Sequence, residues 1–252
     1  MPLTFAHAAA ALPFSRRSKY VNFLALVLGS MAPDFEYFLR GRPSAEIGHT
    51  LIGFLTFNLP IVVMVYFIYH MWIHKTLWSH LPSILQESPV QKPRSSKVLY
   101  VIVLLYSALF GMLTHVVWDS FTHLNGFMVR KLSILTYTVQ VFDFSIPLFK
   151  LLQHGSTIVG LLIIISYMFI RARKNKYNDK GLIKRKQKWM YWSLIALVAM
   201  ILFSLWYFID QVSIRSYGII VVRIIDSGLI SLLIVSLLFN QLSGAKVISS
   251  SN

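Results

Sequence analysis

The sequence contains no cysteine. Disulfide frameworks, thiolate metal sites and cysteine nucleophiles are thereby excluded, and any metal the chain binds must be held by nitrogen and oxygen donors. Charge is scarce too: 13% of the 252 residues are charged, and only nine are acidic. A soluble globule needs a polar shell, which a chain with 56% hydrophobic residues and a mean hydropathy of +0.63 cannot supply. The opening residues, MPLTFAHAAAALPF, precede the first cations, Arg16, Arg17 and Lys19. A secretory signal has the opposite order, so no cleaved leader is expected. No internal repeat or low-complexity tract stands out.

What the chain has instead is long apolar runs. A helix needs about 20 mostly apolar residues to cross the hydrocarbon core, because its backbone polar groups must be satisfied within the segment. Five stretches qualify: 49–73, 98–123, 155–170, 189–209 and 218–240. A sixth, 20–39, is interrupted by Gly29, Pro33, Asp34 and Glu36 and reads as a short helix ending in the interface. The expected fold is all-α, a polytopic transmembrane helical bundle of five to six spans with an N-terminal re-entrant or interfacial helix. Residues 1–170 form the motif-bearing membrane domain, 171–188 a basic loop, and 189–252 two C-terminal spans and a short tail.

The net charge of +15 comes from loops between apolar runs rather than from a soluble basic face. It points to topology in a cell membrane, with the lipid bilayer as partner and no nucleic acid. The 171–188 loop carries nine Lys or Arg against the single acid Asp179, which places it in the cytoplasm. Alternation then puts Arg16–Lys19, Lys75–Lys97 and the C-terminus inside, and Arg40–Gly48, Leu124–His154 and Asp210–Tyr217 outside. Seventeen of the 24 basic residues fall inside.

An ionisable side chain in a membrane helix costs at least about 2.5–3.5 kcal/mol on insertion scales, so each one needs a reason. Here they gather at outer helix ends: Asp34 and Glu36 in GSMAPDFEYF, His49 in GHTLIG, His115, Asp119 and His123 in HVVWDSFTH, and His154 in QHGSTIVG. The spacing of four and four in His115, Asp119 and His123 keeps these side chains on one helical stripe. Two imidazoles and a carboxylate suit zinc, manganese or iron. The alternative is a hydrogen-bonded polar seam between helices, with neutral histidines paired to Asp119 or to carbonyls.

His7, in TFAHAAAALP, lies on an apolar segment too short to span. An N-terminus inside leaves it on the wrong side for the cluster, whereas residues 4–14 dipping into the membrane and returning carry it there. His70, His74 and His80 form a rival group that lacks a carboxylate, and the Trp72, Trp78 and Lys75 around them read as an interfacial belt. Arg223 and Asp226, three apart, form an expected ion pair, with Arg223 the candidate substrate-binding residue for a phosphate.

The phrases TFAHAAAALP, GSMAPDFEYF, GHTLIG, HVVWDSFTH and QHGSTIVG together resemble a family of bacterial multipass membrane proteins classed as a domain of unknown function, over residues 2–170. That family is distantly similar to membrane-bound proteins assigned as metal-dependent hydrolases and, more remotely, to zinc-dependent phospholipase C. The resemblance implies His7, Asp34, His49, His115 and Asp119 as metal ligands, with His123 or His154 as the next. The soluble enzymes add a later His with a Glu four residues on, whereas Ile158 stands at that place after His154. The expectation is a hydrolase using a divalent metal, zinc by resemblance, on a phosphoester or lipid head group at the outer membrane–water interface. Asp34, Glu36 and Asp119 are its candidate catalytic carboxylates. The alternative is a non-enzymatic protein, a transporter or scaffold using the same polar cluster.

Overall fold

A computed structural model describes residues 3–14, 16–86, 96–174 and 183–249, with side chains to 242. The middle of the basic loop, 175–182, lies outside the described residues. The helices are α1 (Phe23–Met31), α2 (Phe35–Arg40), α3 (Leu51–His80), α4 (Lys97–Thr122), α5 (Phe127–Lys131), α6 (Leu148–Lys174), α7 (Arg185–Asp210) and α8 (Tyr217–Ser249). A 3-10 helix, Thr4–Ala11, precedes them. Among the described residues five helical segments are long and apolar enough to cross a membrane: Leu51–His80, Lys97–Lys131, Leu148–Lys174, Arg185–Asp210 and Tyr217–Leu242. The interrupted 20–39 stretch is divided into α1, a 3-10 turn over Ala32–Asp34, and α2. Pro33, which lacks an N–H, sits in that turn.

The chain packs as two compact units. The first comprises Met1–Phe35, Glu46–Val63 and Pro89–Arg171; the second comprises Glu36–Ala45, Met64–Ser88 and Ala172–Asn252.

In the first unit α1 lies against α4 at close backbone range. A Cβ on Gly29 would collide with the Ala108 carbonyl, and one on Gly111 with the Leu26 carbonyl and the Ser30 amide. Small residues at such crossings replace a hydrophobic driving force, which lipid does not supply, with van der Waals contact. Asn22 starts α1 by accepting from the Ala25 amide, while its own amide donates to Ser107 Oγ on α4. The N-terminal 3-10 helix is tied to α6, where the Leu3 amide donates to Thr157 Oγ1 and Gly160 leaves room for Ala6.

Between α5 and α6 the chain forms an antiparallel hairpin, β1 (Thr138–Val141) with β2 (Phe144–Pro147), in the register Thr138 to Pro147 and Val141 to Phe144. The all-helical expectation for this loop did not include it. Its turn is Phe142–Asp143, with Phe142 at φ 53°, rather than the Asn-Gly or Asp-Gly pair that signals such a hairpin.

The second unit is built on α7 and α8 with the end of α3. Tyr191, fully buried, shares a 2.8 Å hydrogen bond with Ser236 Oγ and stacks on His80. Asn240 accepts from Thr76 Oγ1 and donates to the Trp72 carbonyl. Arg223 pairs with Asp210 and also donates to the carbonyls of Trp206 and Gly41. The expected Arg223–Asp226 pair is replaced, because α7 and α8 bring an acid from the neighbouring helix end within reach.

Candidate metal centre

Three elements of the first unit, the Ala32–Asp34 turn, the turn before α3, and α4, converge on one point. Ligand atoms of Asp34, His49, His115 and Asp119 all lie within 4.8 Å of one another, so this cluster could hold a metal ion.

His115 shows how the packing sets the site. The α1–α4 crossing brings the Ser30 carbonyl to 2.8 Å from His115 Nδ1. A carbonyl only accepts, so Nδ1 carries the proton and a neutral ring presents its lone pair at Nε2. That nitrogen faces Asp34 Oδ1 at 3.6 Å and Asp119 Oδ2 at 3.2 Å, in a side chain with no solvent exposure. A lone pair aimed at two carboxylates is repulsive unless a cation, either a proton or a metal ion, stands among them. A backbone carbonyl behind the imidazole is also the usual means by which a metal-binding histidine is oriented.

Asp34 ends the 3-10 turn after α1. Thr4 Oγ1 donates to its Oδ2 at 2.7 Å, leaving Oδ1 for the cluster. Burial pushes the Asp34 carboxyl up from its ordinary value, with Asp119 adding like-charge repulsion against the opposing imidazoles. A divalent cation would offset both unfavourable effects.

His49 stands in the turn before α3. Thr50 caps that helix by accepting from the Gly53 amide and donates to the Ile47 carbonyl, while Asn58 Nδ2 donates to the Gly48 carbonyl. The turn is thus held on both sides of the imidazole. His49 Nε2 lies 3.7 Å from both Asp34 Oδ1 and Asp119 Oδ2, and its one-third exposed side chain forms the accessible edge of the cluster.

The two oxygens of Asp119 face different partners. Oδ2 meets His49 and His115, whereas Oδ1 meets His7 Nε2 and His123 Nδ1, each at 3.5 Å. The 3-10 helix brings His7 here despite its place at the chain start, and the ring stacks on His115 with centroids 3.9 Å apart. Burial, with His115 next, pushes the His7 imidazole down to about 3, so it is neutral. Neither of its nitrogens has a hydrogen-bond partner, nor do His115 Nε2 and Asp119 Oδ1. Buried polar atoms are rarely left this way, and three imidazole nitrogens together with a carboxylate oxygen fit a cation-binding centre.

The remaining sequence candidates lie elsewhere. His154 points from the exposed face of α6, and it is its neighbour Gln153 that reaches His123 Nε2, at 3.4 Å. One residue is a rotation of about 100° on a helix, which an apolar run does not specify. Glu36 forms a 2.7 Å ion pair with Arg40. Arg223 is engaged by Asp210. His80 is buried with Nδ1 on the Thr76 carbonyl at 2.7 Å, and His70 and His74 pack on aromatic rings. Thr4, Ser30 and Gln153 carry no signal in the sequence, since their roles depend on long-range packing.

No curated protein and no solved structure matches the chain. The profile of one family, domain of unknown function (DUF4184), matches residues 1–237, and the chain belongs to that family.

Proposed function

We propose that the cluster is the centre of a metal-dependent hydrolase acting on a phosphoester, with a lipid head group as substrate, at the outer membrane–water interface. The observation that carries this reading is the convergence of ligand atoms of Asp34, His49, His115 and Asp119 within 4.8 Å of one another, with His7 Nδ1 and Nε2, His115 Nε2 and Asp119 Oδ1 buried without hydrogen-bond partners. A divalent metal held by Asp34, His49, His115 and Asp119, zinc by the resemblance of its ligand set, would supply an acidified water and a Lewis acid for the phosphoryl oxygens.

The chain's own residues supply orientation and access. Thr4 and the Ser30 carbonyl fix Asp34 and His115, and His49 gives the opening. His7 and His123 flank the second oxygen of Asp119, where an imidazole nitrogen with a free lone pair can accept a proton or a further cation. Beside them a groove of about 570 Å³ runs between α4 and α6, lined by Phe110, Val117, Trp118, Phe121 and Leu152. Trp118, tethered to Ser156 Oγ at 3.1 Å, touches this groove and meets the His7 ring edge-on. An acyl chain in the groove would leave its head group beside the cluster.

The test is release of a water-soluble head group from phospholipid in proteoliposomes. Metal-dependent release that vanishes in Asp119→Asn supports the reading. Metal-loaded protein that releases no more than this variant sinks it. The break of α1 at Ala32–Asp34 favours a second reading, a transporter with an interrupted helix at its site. Cation flux across the same proteoliposomes, dependent on Asp119 and without head-group release, would establish that reading instead.

A further inference from the structure

In the second unit, where α3 ends and α7 begins, a cavity of about 440 Å³ is lined by Ser83, Arg185, Lys188, Trp189 and Trp192, with Pro82 and Ile183 at its edge. The two helix ends are joined by a 3.0 Å hydrogen bond from Trp192 Nε1 to the His80 carbonyl. At 26 residues α7 is about 39 Å long at 1.5 Å per residue, beyond the roughly 30 Å of hydrocarbon it must cross. Its first turn carries Arg185, Lys186 and Lys188, so the excess length belongs at this end, in the head-group layer, the depth that indole rings prefer.

Charge separates this cavity from an ordinary aromatic belt. Among the described residues that line it, two are basic and none is acidic. Lys188 Nζ donates to Ser83 Oγ at 3.5 Å, which places an ammonium and a hydroxyl together on one wall. Trp189, 64% exposed, and Trp192, 38% exposed, add apolar faces that water would wet at a cost. A topology signal requires cations in a loop; it does not require them to converge with a hydroxyl and two indoles on one concave surface.

We propose that this cavity is a binding site for an anionic phospholipid, separate from the metal centre. The phosphodiester sits between Arg185, Lys188 and the Ser83 hydroxyl, and the acyl chains run along the indole faces of Trp189 and Trp192. A guanidinium and an ammonium attract a net-negative head group, whereas the cationic end of a zwitterionic head group is repelled.

The experiment uses the full chain in phosphatidylcholine bilayers containing small amounts of brominated phosphatidylglycerol or brominated phosphatidylcholine, with tryptophan fluorescence as readout. Wild type reaches half-maximal quenching at a lower mole fraction of the anionic lipid, by roughly fivefold for each participating cation. Arg185→Gln with Lys188→Gln abolishes the preference, and Trp189→Phe with Trp192→Phe removes the preferential part of the quenching. Lys186→Gln, an exposed cation of the same turn outside the cavity, leaves it intact. Equal quenching by both lipids in wild type, or a preference that survives loss of Arg185 and Lys188 or is lost equally in Lys186→Gln, overturns the proposal. Displacement by inorganic phosphate in the buffer also overturns it, in favour of a soluble-phosphate site.

Discussion

In the second unit Tyr191 meets Ser236, Asn240 joins Thr76 to the Trp72 carbonyl, and Arg223 meets Asp210, so donors face acceptors. In the first unit His115 Nε2 faces two carboxylate oxygens, and both nitrogens of His7 face no hydrogen-bonding partner. Both arrangements hold polar groups among membrane helices. The second unit also leaves Asp226 Oδ2 and Ser227 Oγ without hydrogen-bond partners, but among the described residues only the first unit brings imidazole and carboxylate ligand atoms of several residues within 4.8 Å of one another. This distinguishes a candidate site from a polar seam better than the residue types do, since histidine occurs in both.

The largest test of this contrast is chelation. A ligand at a thousand times its Kd stabilises the folded form by about 4 kcal/mol. Amide hydrogen exchange in Thr4–Ala11 and Phe23–Met31 should therefore quicken by up to roughly a thousandfold when metal is removed, while exchange in Arg185–Asp210 holds its rate. Equal quickening in both units would erase the distinction.

A matched pair of glycine substitutions comes next. Gly111→Ala places a Cβ against the Leu26 carbonyl and Ser30 amide, whereas Gly228→Ala in α8 meets open space. The first should cost about 1–3 kcal/mol, read from the thermal midpoint, and reduce bound metal by moving the Ser30 carbonyl away from His115. The second should leave metal content unchanged.

Thr4→Val removes the hydroxyl that holds Asp34 Oδ2. Metal affinity measured by titration calorimetry should fall about 10- to 100-fold, the usual effect of losing a partner behind a ligand. Smallest of all, Tyr191→Phe should lower stability by only about 0.6 kcal/mol, typical of a hydrogen bond between membrane helices. It should not alter metal content. A metal deficit in Tyr191→Phe matching that of Gly111→Ala would show that the two regions are not functionally distinct.

The spans were legible because lipid imposes a length and a composition that no other fold class meets, and Pro33 with Asp34 already marked where the 20–39 stretch breaks. Asp34, His49, His115 and Asp119 could be picked out because ionisable groups are rare in apolar runs and a spacing of four keeps His115 and Asp119 on one stripe. Rotation about a helix axis was not legible, so His154 stood where Gln153 acts. Arg223 was assigned to its near neighbour Asp226, although Asp210 lies on the adjoining helix. The α5–α6 hairpin escaped notice because its Phe142–Asp143 turn lacks the residues that favour positive φ.

The central claim is that Asp34, His49, His115 and Asp119 together hold a divalent metal. Elemental analysis of the detergent-purified protein tests it most directly, with His115→Ala and Asp119→Ala compared against His80→Ala, whose imidazole belongs to the second unit. The account predicts about one or more equivalents of metal per chain in wild type and His80→Ala, and near none in the other two. Equal metal content in all four proteins, or no metal in wild type after growth and purification with zinc and manganese supplied, would contradict it.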